Sequence, residues 1–135
     1  MNKSTLDMIL YGDGLLMVEV GLWNCNKKIY RNIDLTLDTG ASVTTLSKDI
    51  LYQLGYDFEF KNKRRITTAS GVEFVNKLEL EKIKIGDFEL NDIEVYAHTF
   101  PEESFSLGVL GLNILSQFDI ELLFSKKEVI LKKFD

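Results

Sequence analysis

Residues 33–42 read IDLTLDTGAS, and this stretch decides the interpretation of the whole chain. Apolar and polar residues alternate between Ile33 and Leu37, which is the pattern of a half-buried β-strand. Asp38 stands at the end of that strand, and Thr39 and Gly40 then turn the chain. A carboxylate at a strand end is well placed for chemistry, but Asp-Thr-Gly on its own also suits an ordinary Asx turn.

The chain has one copy of this element and no second copy. A single solvated carboxylate is a poor base and no acid at neutral pH. Two carboxylates held a few ångströms apart share a proton, so one can activate water while the other protonates a peptide carbonyl. If Asp38 is catalytic, the second carboxylate must therefore come from a second chain. We interpret Asp34 and Asp119 as surface charges on strands, since no turn motif follows either of them.

Strand patterns dominate the rest of the chain. Period-two alternation or β-prone composition marks residues 15–20, 28–37, 72–75, 78–85, 88–96, 118–124 and 128–131. Helical signals are limited to residues 48–54, which Ser47 can cap and Gly55 can end, and to residues 112–117. Together these elements predict one all-β, mainly antiparallel domain over residues 1–135, with one or two short helices.

A second motif, Val109-Leu110-Gly111, comes directly before the second predicted helix. With the Asp38 motif upstream of it, the chain resembles the retropepsin family of aspartic proteases over most of its length. The resemblance implies a small, partly closed antiparallel β-barrel and a homodimeric enzyme. It further implies that Asp38, Thr39 and Gly40 form the catalytic motif. Asp38 would be the catalytic aspartate, and Thr39 would lock the two active-site loops together across the dimer.

The resemblance also implies a set of substrate-binding residues. Ala41 and Ser42 follow the catalytic motif, and Ser42 stands where viral members usually carry an aspartate. Residues 67–71 match the tip of the family's flap hairpin; they are Thr67, Thr68, Ala69, Ser70 and Gly71. Val109 would line a substrate pocket, although an apolar residue there would serve a core equally well. The chemistry requires no cofactor and no metal ion.

Composition and charge narrow the range of partners. The net charge is −5 over 135 residues, so nucleic acids and anionic membranes are not expected partners. The single cysteine, Cys25, excludes an intrachain disulfide and suits a reducing compartment. With His98 as the only histidine, no Cys/His zinc site is expected. No stretch has the apolar length to span a bilayer, and we expect a cytoplasmic protein.

From the sequence we expect an aspartic endopeptidase. Water would be activated between two aspartates, one Asp38 from each subunit of a homodimer. Two alternatives stay open: a non-catalytic module of the same fold that binds peptides or dimerises, and a peptidase that acts on one native protein only. The presence of the motif alone does not separate these possibilities.

Overall fold

The structure is a computed structural model that describes residues 2–12, 14–58, 63–69, 71–100 and 106–134. Over these residues the chain is built mainly from β-strands, with two short helices. The strands are β1 Lys3–Asp7, β2 Ile9–Tyr11, β3 Leu15–Asn24, β4 Ile29–Leu37, β5 Thr45–Ser47, β6 Lys63–Thr68, β7 Gly71–Ile85, β8 Phe88–His98, β9 Gly108–Leu110, β10 Phe118–Leu123 and β11 Glu128–Lys133. The helices are α1 Lys48–Gln53 and α2 Leu112–Leu115.

One sheet closes on itself to form a ring. Its strand order is β2-β3-β4-β9-β5-β8-β7-β6, and a further antiparallel pairing of β3 with β7 completes the ring. Strands β1, β11 and β10 form a separate antiparallel sheet. The predicted all-β fold with two short helices is confirmed. The pairings of β4 with β9 and of β5 with β8 are parallel, which is where the sheet departs from a purely antiparallel arrangement.

Both predicted helices are present, and both are shorter than expected. Helix α1 ends at Gln53 and α2 at Leu115. Ser47 occupies the N-cap position of α1 in an extended conformation, but its side chain makes no capping hydrogen bond. Ser47 is also the last residue of β5, and its backbone N–H donates to the carbonyl oxygen of Leu107 at 2.9 Å. The sequence patterns did not predict β1, β2, β5, β6 and β9, of which β2, β5 and β9 are only three residues long.

The hydrophobic core lies on the inner face of the ring. Alternate strand residues point inward, as the period of two requires. Those that are almost completely buried include Leu22, Leu35, Leu46, Leu80, Ile83 and Leu110. The separate sheet contributes Leu6, Val129 and Leu131 to the same core. Neither described helix has the length and apolarity needed to cross a membrane.

The seam between β3 and β7 is only two residue pairs long. Beyond these pairs, the Tyr56 hydroxyl lies between the two strands. It donates a hydrogen bond to the carbonyl oxygen of Trp23 at 3.0 Å and accepts one from the backbone N–H of Glu81 at 3.2 Å. A phenol thus continues the seam where the two backbones separate. Burial raises the pKa of Tyr56 above its ordinary value.

We expect Tyr56→Phe to lower the free energy of unfolding by about 1–3 kcal/mol, because two backbone groups lose a buried partner. A raised pKa means that the stabilisation is fully present below the ordinary tyrosine pKa and is lost progressively as the pH rises from there through the raised pKa of the folded state. The difference between wild type and variant should therefore shrink above about pH 10. Denaturant titrations of wild type and variant at neutral and alkaline pH measure this difference in the free energy of unfolding. A difference that does not change with pH would contradict this account.

Candidate active site

The loop that follows β4 presents Asp38. We call residues 38–44 the Asp38 loop. The backbone N–H of Asp38 donates to the carbonyl oxygen of Leu110 at 3.1 Å, which ties the start of the loop to the end of β9. The N–H of Gly40 donates to Asp38 Oδ1 at 2.9 Å, and the N–H of Ala41 donates to the Asp38 carbonyl at 3.3 Å. The carboxylate is therefore oriented by its own loop and is half-buried.

Thr39 and Gly40 are both exposed on this loop. The Thr39 hydroxyl makes no hydrogen bond to the described residues of its own chain, which leaves it available to another molecule. The role predicted for Thr39, linking two loops across a dimer, stays a prediction. Ala41 is half-buried and Ser42 is exposed, directly beside the Asp-Thr-Gly motif.

Helix α2 packs behind the Asp38 loop through backbone hydrogen bonds. The N–H of Leu112 donates to the Ala41 carbonyl at 2.7 Å, and the N–H of Asn113 donates to the Ser42 carbonyl at 3.1 Å. Gly111 allows this close contact, since a Cβ built on Gly111 would lie 2.9 Å from the Ala41 oxygen and nearer still to the backbone of residues 43 and 44. The motif at residues 109–111 is thus placed directly against the Asp38 loop.

Two polar residues that the sequence analysis did not single out hold the far end of this loop. Thr44 is fully buried. Its hydroxyl accepts from the N–H of Gly111 at 3.0 Å and donates to Asn113 Oδ1 at 2.9 Å. The same Asn113 oxygen accepts the N–H of Thr44 at 2.8 Å, and Asn113 Nδ2 donates to the carbonyl of Glu94 at 2.7 Å. The sequence signal that could have identified Asn113 is its amide, which is the only polar side chain in the apolar run at residues 109–115.

A third polar contact fixes β4 to the chain that enters β9. Thr36, two residues before Asp38, donates through its hydroxyl to Ser106 Oγ at 2.8 Å. Ser106 is buried and in turn donates to the carbonyl of Gly108 at 2.5 Å. Strand β4, which leads into the Asp-Thr-Gly motif, is therefore held on the β9 side by side-chain hydrogen bonds as well as by its backbone hydrogen bonds.

Val109 lies on the same face of the sheet as Asp38. The register pairs Thr36 with Val109, Val109 with Thr45, and Thr45 with Tyr96. Asp38 directly follows β4, two positions after Thr36, and its N–H continues the hydrogen bonding to β9, so the period of two places it on the same outer face of the ring as these residues. Val109 is half-buried, whereas the neighbouring Leu110 belongs to the core. This placement favours the pocket interpretation of Val109 over the core interpretation.

Residues 67–69 and 71 lie at the tip of a β-hairpin. Thr67 and Thr68 belong to β6, Ala69 is in the turn, and Gly71 begins β7 with a φ of 119°. Ser70 lies outside the described residues. The register pairs Thr68 with Gly71. That this hairpin covers a bound substrate stays a prediction.

The described part of the chain has no group of three or more His, Cys, Asp and Glu side chains that could hold a metal ion. The Asp38 loop, the β9–α2 segment and the hairpin are the segments that carry the predicted site residues. They present one oriented carboxylate, one exposed threonine hydroxyl and a sheet face lined by Val109, Thr45 and Tyr96.

The family whose sequence model matches this chain is described as "gag-polyprotein putative aspartyl protease". The match covers residues 29–117, which is 89 of the 135 residues and includes the Asp38 loop, the hairpin and Gly111. Among solved structures, a retropepsin-like aspartic protease from Rickettsia conorii has a similar fold, with a TM-score of 0.70 and 22% sequence identity. The similarity covers 97% of this chain and 90% of the other. No curated protein matches the sequence.

Proposed function

Because this chain belongs to the gag-polyprotein aspartyl protease family, we propose that it is an aspartic endopeptidase that acts as a homodimer. The observation that carries the proposal is the Asp38 loop itself. One carboxylate is held in a fixed orientation by Gly40 N–H, on a loop anchored to Leu110 and α2. The chain offers a single Asp-Thr-Gly, so two chains are needed to supply two carboxylates.

In the proposed reaction the two Asp38 carboxyl groups share one proton and hold a water molecule between them. The ionised carboxylate takes a proton from the water as the water oxygen attacks the peptide carbonyl carbon. The protonated partner gives its proton to the carbonyl oxygen, forming a neutral tetrahedral intermediate. The intermediate collapses when the amide nitrogen receives a proton from the pair, the C–N bond breaks, and one hydroxyl of the intermediate returns its proton to the ionised carboxylate. This releases an acid and an amine and restores the singly protonated pair.

Substrate would bind as an extended strand across the face that carries Asp38. Ala41 is small and leaves room beside the scissile bond, and Ser42 can offer its hydroxyl to the substrate backbone. Val109 would contact a substrate side chain. The hairpin tip at residues 67–71 would close over the peptide, and the Thr39 hydroxyls would bridge the two loops. The half-buried position of Val109 beside Thr36 supports this arrangement.

Dimer-dependent activity gives the direct test. If the monomer is inactive, activity per chain should fall in proportion to concentration once the chain is diluted well below the dimer dissociation constant. We expect a tenfold dilution in that range to lower the specific activity about tenfold. Cleavage of a peptide library, read by mass spectrometry, should be measured beside sedimentation velocity at the same concentrations. Specific activity that does not change across the monomer–dimer transition would overturn the proposal, and a dimer that binds peptides without cutting them would indicate the non-catalytic module.

A further inference from the structure

The face that carries Asp38 extends across the sheet to the hairpin. Tyr96 on β8, already placed on this face, is two residues from His98 and pairs with Lys77 on β7. With a period of two, Glu73 lies on the same side of β7 as Lys77. Glu73 belongs to the part of β7 that extends past the end of β8 and pairs with β6. Asp38, His98 and Glu73 therefore share one face of the molecule.

Glu73 and His98 are in contact on this face. His98 Nε2 lies 3.1 Å from Glu73 Oε2, and the two side chains are 30% and 37% exposed. The neighbouring cation, Lys77, is already matched by Glu94 at 3.2 Å. Among the described residues Glu73 has no further polar partner, so its carboxylate keeps unused acceptor capacity.

We propose that Glu73, supported by His98, recognises a basic side chain of the bound peptide. The inference rests on the proposed function, because it takes the face that carries Asp38 as the peptide-binding face. An ammonium or guanidinium group can donate to the Glu73 oxygen that His98 does not contact, and this charge-assisted hydrogen bond would form without displacing the imidazole. The partner is thus a peptide with lysine or arginine at one fixed distance from the scissile bond.

The distance follows from the sheet geometry. Strands β9, β5 and β8 lie between β4 and β7 in the sheet. Strands β4 and β7 are therefore four strand spacings apart, which is roughly 19 Å measured across the strands. An extended peptide advances about 3.3 Å per residue, so the basic residue should lie within about six residues of the cut bond. The residues directly flanking that bond would still meet Val109 and its neighbours.

Binding to the inactive Asp38→Asn chain tests this without requiring catalysis. The probes are a series of labelled, otherwise uncharged host peptides of about twelve residues, each with lysine at a different single position. For each of them, the control peptide has norleucine, an uncharged isostere, in place of the lysine. We expect lysine at one position to tighten Kd about three- to tenfold relative to norleucine. Equal Kd values for lysine and norleucine at every position would overturn the proposal.

Three variants in the same background assign the effect to Glu73. Glu73→Gln should remove the lysine preference, and Glu73→Lys should reverse it in favour of glutamate at the same position. The reversed preference is a gained property, so a loss of folding cannot imitate it. Glu79→Gln, on the same strand and about 20 Å away, should leave the preference intact. A lysine preference that survives Glu73→Gln would contradict the assignment.

Cleavage by the wild-type chain, measured separately, distinguishes this inference from the proposed function. Lysine-selective binding without any cleavage would refute the endopeptidase and support the Glu73 site. Cleavage without lysine selectivity would support the endopeptidase and refute the Glu73 site.

Discussion

Replacing Asp38 by asparagine should abolish peptide cleavage, with a loss on the order of a thousandfold or more, because acid and base are both removed. In a homodimer the single substitution changes both members of the carboxyl pair. The amide keeps the shape of the side chain and its Oδ1 can still accept the Gly40 N–H, so the loop should retain its conformation. Cleavage of the best library peptide, measured beside thermal unfolding, checks both statements.

Mixed dimers make the Asp38 experiment sharper. When wild-type and Asp38→Asn chains are mixed in equal amounts and exchange freely, about one quarter of the dimers carry two aspartates. If both aspartates are required, the activity should therefore fall to about one quarter of that given by the same total amount of wild type. Activity of about three quarters would mean that one Asp38 per dimer suffices, and activity of about one half would mean that each Asp38 acts on its own; either result would contradict the shared-carboxylate mechanism.

Replacing Gly111 by alanine should destabilise the protein by about 3 kcal/mol or more, since the added methyl group meets backbone that cannot move aside. The new Cβ would lie 2.6 Å from the Val43 carbonyl carbon and 2.8 Å from the Thr44 nitrogen. The φ of Gly111 is −97°, which any residue adopts, so the requirement for glycine is one of space alone. Activity should fall together with stability, because the displaced backbone belongs to the Asp38 loop.

The matched control for that experiment is Gly40→Ala. A Cβ on Gly40 would meet only Asp38 Oδ1, at 3.1 Å. We expect less than about 1 kcal/mol of lost stability but a loss of activity of about tenfold or more, because the carboxylate itself must shift. Denaturant unfolding and kcat/KM together separate the two variants. A Gly111→Ala chain as stable as the wild type would refute the packing account of α2.

The candidate site was predictable where it depends on short sequence motifs. Asp38, Gly40 and Gly111 stand in recognisable local patterns, and the structure places them against one another through the hydrogen bond from Asp38 N–H to the Leu110 carbonyl and the packing of α2. Except for β6, the strands of more than five residues follow from strand-like sequence patterns. The partners that hold the loop were not predictable in the same way. Thr44 and Asn113 are separated by 69 residues, and no local pattern says that their side chains meet.

Strands β5 and β9 were not predictable from local sequence either. Each has three residues, too few for alternation to be visible, and each exists because it pairs with distant strands. These pairings decide which residues join Asp38 on the outer face: Val109, Thr45 and Tyr96 are brought together from three separate segments. The contact between Glu73 and His98 has the same origin, since it depends on how far β7 extends past β8.

The sequence by itself determined the all-β class, the two short helices and the presence of a single Asp-Thr-Gly motif per chain, because alternation, turn residues and motif counts are local properties. Only the tertiary structure decided how the ring closes and what surrounds Asp38. The β3–β7 seam with Tyr56, the buried Thr44–Asn113 hydrogen bonds and the shared outer face all come from long-range pairing. Such pairing depends on the packing of the whole core, which no short stretch of sequence specifies.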